Sequence, residues 1–158
     1  MGTAEPSVAA GPLGRGYDRR MRERVLFLCT HNSARSQMAE GMLRAWGGDR
    51  FDAYSAGVQA NVVAPLAIRA MDEIGIDISD QMSKRIETFD GQAFDRAVTV
   101  CADASESCPY FPRAGRQLHW SFEDPSAARG TAAQQLAVFR RVRDQIAERI
   151  RVELLGSD

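Results

Sequence analysis

The stretch VLFLCTHNSARS, running from Val25 to Ser36, decides the fold. Val25 to Leu28 is an unbroken apolar run, the mark of a strand buried on both faces of a parallel sheet. Cys29 ends it, and a polar turn, Thr30 to Ser33, follows. Met38, Met42, Leu43 and Trp46 then recur at helical spacing, and Gly47-Gly48 stops the helix. Strand, tight turn and helix in this order form the first unit of an α/β domain.

The same alternation continues outward. Phe51 to Ala56 reads as a second strand closed by Gly57. Pro65 suits a first helical position, with Leu66, Ile68, Met71 and Ile74 behind it and Gly75 at the end. Residues 79 to 92 read as loop and a short helix. Ala97 to Val100 is a third strand, ended by Cys101 much as Cys29 ends the first. Alternating Leu118, Trp120 and Phe122 predict a fourth. Thr131 and Gln134 make a capping box for a long helix carrying Leu136, Phe139, Val142, Ile146 and Ile150 on one face. The expected fold is α/β, a four-stranded parallel sheet flanked by helices. Ligands of such sheets sit beyond the carboxyl ends of strands, where Cys29 and Cys101 both lie.

The 158 residues suffice for one domain with a core of its own. A formal charge of −1 provides no electrostatic footprint for nucleic acid or an anionic membrane. No stretch approaches the roughly 18 to 20 apolar residues of a membrane span. Residues 1–24, rich in Gly, Pro, Ala and Arg, read as a disordered extension without a signal-peptide core, and Met21 is a candidate initiator. Residues 25–155 read as a single catalytic domain, expected in the cytoplasm. The three cysteines, Cys29, Cys101 and Cys108, are an odd number and do not suggest a secreted disulfide framework. Among 20 cationic side chains, Lys84 is the single lysine.

Cys29 to Ser36 has the pattern C-x5-R-S. Between a buried strand and a helix, its backbone N–H groups and the helix dipole form an anion site from Thr30, His31, Asn32, Ser33, Ala34 and Arg35. Arg35 adds a fork for two anion oxygens. The same field favours thiolate at Cys29, and the Ser36 hydroxyl can hold that thiolate. A thiolate at the base of such a cradle suits nucleophilic attack on a tetrahedral oxyanion. The departing oxygen needs a proton, and Asp124, stiffened by Pro125, is the candidate donor. A zinc site joining the three cysteines with His31 or His119 is the competing arrangement, but its C-x-H and C-x6-C spacings are not those of structural zinc sites.

The segment LFLCTHNSARSQMAEG (Leu26 to Gly41) resembles the active-site loop of arsenate reductases built on the low-molecular-weight tyrosine phosphatase fold. The resemblance continues through Tyr54 to Gly57, VCADASESCP (Val100 to Pro109) and HWSFEDP (His119 to Pro125), and covers residues 25 to about 153. It implies that Cys29 attacks arsenate while Asp124 protonates the departing oxygen. Cys101 then attacks Cys29, releasing arsenite. Cys108 attacks Cys101, and an external thiol donor, thioredoxin or a similar thiol-disulfide protein, reduces the Cys101–Cys108 bond. No bound cofactor is implied. A phosphatase of this fold, with Cys101 and Cys108 dispensable, is the first alternative. A redox- or metal-responsive binding protein is the second.

Two departures from the family pattern matter. Tyrosine phosphatases of this fold carry an aromatic residue after the Asp-Pro pair, whereas Ser126 and Ala127 follow here, which favours a small inorganic oxyanion. Some reductases bind potassium through an Asn, a Glu, a Ser and an Asp. Asn32, Glu40 and Ser55 match the first three, but Lys84 stands at the fourth. The Lys84 ammonium is therefore expected in place of the metal cation.

Overall fold

A computed structural model describes residues 21–102 and 109–156. Residues 1–20 of the expected extension, Cys108 and most of the segment between it and Cys101 lie outside the described residues. Strand β1 (Glu23–Cys29) leads into helix α1 (Arg35–Gly47), then β2 (Phe51–Gly57) and α2 (Pro65–Asp72). Strands β3 (Phe94–Thr99) and β4 (Ala114–His119) and helix α3 (Ala132–Ile150) complete the domain. The strands form one sheet in the order β2-β1-β3-β4, every neighbouring pair parallel.

Strand β1 is central because its apolar run can be buried on both sides. Val25, Phe27 and Cys29 join a large core with residues of α1, α2 and α3. Leu26 and Leu28 face a smaller cluster with Ala56, Phe89, Phe94, Ala97 and Phe111. Short 3-10 turn Ile86–Phe89 supplies Phe89 to that second face, where Tyr54, Phe89, Phe94 and Phe111 meet edge to face. The chain runs from β1 to β2 on one side and later to β3 on the other. That reversal opens a crevice at the carboxyl ends of β1 and β3.

The capping box is present: Gln134 N donates to Thr131 Oγ1, and Thr131 N donates to Gln134 Oε1. Four boundaries differ from the sequence pattern, the first being β1, which takes in Glu23 and Arg24 of the segment read as a disordered extension and pairs them with Phe51 and Asp52. The fourth strand is Ala114–His119, not the alternating 118–122 segment. As an edge strand it is mostly exposed and lacks an apolar signal. Trp120 and Phe122 alternate because the extended chain beyond it enters the core, with Trp120 N still bonded to Thr99 O. The third strand spans Phe94–Thr99, and Val100 follows it. Helix α2 ends at Asp72, and its buried stripe is Ala67, Ala70 and Met71, while Ile74 is exposed.

Candidate active site

Residues 30–34 bridge the end of β1 to the start of α1. No side chain caps α1, and no acidic residue lies in its first turn. Its leading N–H groups are therefore available to an anion rather than to the chain's own carboxylates. Asn32 makes the tight turn at φ 50°, a conformation that Asn tolerates better than most residues.

The turn is wired in place by the Asn32 side chain. Asn32 Nδ2 donates to Ser36 Oγ at 2.8 Å and to Ser55 Oγ at 2.9 Å. Asn32 Oδ1 accepts from Gln37 Nε2 at 2.9 Å and from Lys84 N at 2.7 Å. Both amide protons and the carbonyl oxygen are thus engaged, and Asn32 is fully buried. Ser36 Oγ lies 2.8 Å from Cys29 Sγ. Ser36 Oγ accepts from Asn32, and its own proton can be donated to the sulfur, the direction that a thiolate, which only accepts, requires. That polarity stabilises a thiolate.

Cys29 lines a cavity of about 130 Å³ with His31, Ser33, Ala34, Arg35, Asn61, Asp124 and Ser126. Arg35 is buried, and its Nη1 donates to the Phe122 carbonyl at 3.1 Å. Its Nη2 lies 3.9 Å from Asp124 Oδ2. Asp124 Oδ1 accepts from Ser126 N at 2.9 Å, which sets the carboxyl in a turn at the cavity wall. A larger groove of about 960 Å³ lies along α3, away from this chemistry.

Thr30 and His31 contribute to the turn through their carbonyls, which accept from Gln59 N at 3.0 Å and Ser83 Oγ at 3.1 Å. Cys101 is buried in the same core cluster as Cys29, outside the cavity lining. Leu28 pairs with Thr99, and Val100 N donates to Leu28 O at 2.8 Å. Cys101 therefore follows β3 one residue beyond the level of Cys29.

The structure also gathers Asn32, Glu40, Ser55 and Lys84. Ser55 Oγ donates to Glu40 Oε1, and Arg44 binds the other carboxylate oxygen of Glu40. Lys84 Nζ donates to Met82 O at 2.7 Å and lies 3.9 Å from Glu40 Oε1. Burial pushes the Lys84 ammonium below its ordinary pKa, the Glu40 carboxylate opposes that shift, and Arg44 adds to it. The Asn32 oxygen is taken by N–H donors and an ammonium already faces Glu40. This set does not fit a potassium ion.

Sequence reasoning gave no role at the site to Gln37, Ser83 or Asn61, and read Gly57 only as the close of a strand and the end of a family motif. Gln37, fully buried, ties the turn to Met82 O. Gly57 backs the turn, Ser83 braces it, and Asn61 stands on the cavity wall. Only Gln37 left a signal, a polar side chain on the buried face of an amphipathic helix.

A family model described as low molecular weight phosphotyrosine protein phosphatase matches residues 24–155. An arsenate reductase from Halalkalibacterium halodurans is 50% identical over 127 residues, 80% of this chain and 91% of the relative. A solved arsenate reductase in the phosphate binding state superposes with TM-score 0.70 at 37% identity, covering 82% of this chain and 94% of that one. A thioredoxin-dependent arsenate reductase from Corynebacterium glutamicum superposes with TM-score 0.61 at 26% identity, covering 85% of this chain and 61% of that one.

Proposed function

Because the chain belongs to the low molecular weight phosphotyrosine protein phosphatase family, we infer the chemistry of its site from that fold, and conclude that it is an arsenate reductase. The observation that carries the reading is a single one. Cys29, hydrogen-bonded to Ser36, lies in a 130 Å³ cavity with Arg35 and Asp124, and Cys101 follows the neighbouring strand in the same core. The cavity is far smaller than the roughly 300–1,000 Å³ of drug-sized ligand sites. Small polar groups line it, as suits an inorganic oxyanion.

In the proposed mechanism the N–H groups of residues 30–35 and the Arg35 guanidinium hold arsenate. Cys29 thiolate forms a sulfur–arsenic bond as Asp124 protonates the departing oxygen, which leaves as water. Cys101 thiolate attacks Cys29 Sγ. The sulfur–arsenic electron pair stays on arsenic, reducing arsenate to arsenite and leaving a Cys29–Cys101 disulfide. Cys108 thiolate attacks Cys101 Sγ and frees Cys29 as thiolate. A dithiol donor of the thioredoxin class reduces the Cys101–Cys108 bond, supplying the two electrons consumed. The reaction belongs in the cytoplasm, where such donors are kept reduced. Among the described residues no helix is long and apolar enough to cross a membrane.

Lys84 takes the place of a metal cation in this reading, its ammonium balancing Glu40 behind the Asn32 turn. Cys29, Arg35 and Asp124 alone suffice for attack on a phosphate monoester, so a weak phosphatase activity on small esters accompanies the main reaction.

The test is arsenate-dependent NADPH oxidation with thioredoxin and its reductase, for the native protein and each Cys→Ser variant. Turnover should vanish in Cys29→Ser, Cys101→Ser and Cys108→Ser. Full activity in Cys108→Ser would remove the resolving role. Dominant phosphate release from esters would make the protein a phosphatase.

A further inference from the structure

We propose that Asn61 is a specificity-determining residue, donating its side-chain N–H to the outward oxygen of a bound tetrahedral anion. The inference rests on the oxyanion reading above. Asn61 follows β2 and lines the Cys29 cavity. Its segment is strapped to the anion turn at several points. Gln59 N donates to Thr30 O at 3.0 Å, Ser33 Oγ to Val62 O at 2.7 Å, and Ala64 N to Ser33 O at 2.9 Å. Asn61 N donates to Ser83 Oγ at 2.8 Å, and that hydroxyl donates to His31 O.

The side chain is oriented as well as placed. Asn61 Oδ1 accepts from Val62 N at 2.9 Å. Asn61 is exposed at the cavity mouth, and among the described residues its Nδ2 has no hydrogen-bond partner, so the polar group it can offer there is a donor with two protons. An anion seated on the turn directs three oxygens at the N–H groups and Arg35. In-line attack by Cys29 requires the fourth oxygen to point away from the sulfur, toward the wall that Asp124 and Asn61 share.

That geometry discriminates between substrates. In arsenate or phosphate the fourth oxygen is terminal and accepts the Asn61 proton. In a monoester it carries carbon and is a poorer acceptor, so the Asn61 amide gains less from it. Asn61 thereby selects the inorganic anion over esters, and Ser126 leaves the mouth without an apolar wall.

The experiment compares inorganic phosphate with methylphosphonate, whose fourth substituent is a methyl group, by calorimetric titration of the reduced protein. Asn61→Ala should weaken phosphate binding about five- to tenfold, as expected for one lost hydrogen bond, and leave methylphosphonate unchanged. Asn61→Asp keeps the Val62 contact but removes the donor, so it should bind phosphate more weakly still. Equal losses for both ligands, or native phosphate affinity in Asn61→Asp, would overturn the inference. Arsenate reduction is measured on the native protein in parallel. If that fails while phosphate binding depends on Asn61, the reductase reading falls and the specificity role stands.

Discussion

Gly57 packs so closely against Asn32 that a β-carbon on it would lie 2.7 Å from the Asn32 backbone nitrogen. The same β-carbon would lie 2.8 Å from Thr30 O and 3.0 Å from Cys29 O. All three neighbours are backbone atoms of the anion turn, which cannot swing aside as a side chain would. The glycine at the end of β2 is thus what lets the second strand support the turn that follows the first.

Gly57→Ala should therefore damage the turn itself. Overpacking of this kind costs about 1–3 kcal/mol of stability. A displaced turn also misplaces Cys29, so kcat/KM for arsenate should fall by roughly a hundredfold. Thermal denaturation and steady-state kinetics measure the two effects. A variant with native kinetics would show that the turn tolerates the shift.

Ser36→Ala removes the hydroxyl that faces Cys29 Sγ at 2.8 Å. A hydrogen bond to a charged group contributes about 1.5–3 kcal/mol, so kcat/KM should drop about ten- to a hundredfold. It also strands one Asn32 amide proton. Ser36→Thr, which keeps the hydroxyl, should recover part of the loss. Equal activity in Ser36→Ala and the native enzyme would remove Ser36 from the reaction.

Lys84→Ala removes the ammonium that faces Glu40. The native enzyme should be indifferent to potassium when ionic strength is held with tetramethylammonium chloride. The variant should lose activity and regain part of it as potassium is added, because the two oxygens the ammonium faces, Glu40 Oε1 and the Met82 carbonyl, would then accept an ion. Potassium stimulation of the native enzyme would refute the substitution of ammonium for metal.

Glu73 joins α2 to α3 through Arg140 and Arg143. The Arg140 hydrogen bonds, helped by Arg143 and opposed by partial desolvation, pull its carboxyl from 4.5 down to about 2. A depressed carboxylate pKa contributes stability that is present above the unfolded value and is lost as pH falls toward the folded value. The native melting temperature should therefore decline between about pH 5 and pH 2 more steeply than that of Glu73→Gln. Melts across this range decide it, and parallel curves would mean that the clamp does not couple to folding.

Much of the fold was legible because its signals are local. The buried run at Val25 to Leu28, the capping box at Thr131 and the glycine stop after α1 each depend on residues a few positions apart. Strand β4 was misplaced for the opposite reason. Its residues AGRQLH carry no apolar pattern, and only pairing with β3 makes them a strand.

The site divides in the same way. The amino-acid sequence by itself determined the anion turn, since nucleophile, N–H donors, arginine and helix start occupy eight consecutive residues, Cys29 to Ser36. Only the tertiary structure decided what holds that turn and what faces it. Ser55 and Lys84 lie 23 and 52 residues from the Asn32 they bond, and Phe122 lies 87 from Arg35; no local pattern marks these contacts, and only the family resemblance sets Ser55 and Lys84 beside Asn32. Parallel pairing aligns the ends of β1, β2 and β3, and the side chains that follow those ends meet there because the strand register puts them within hydrogen-bond reach.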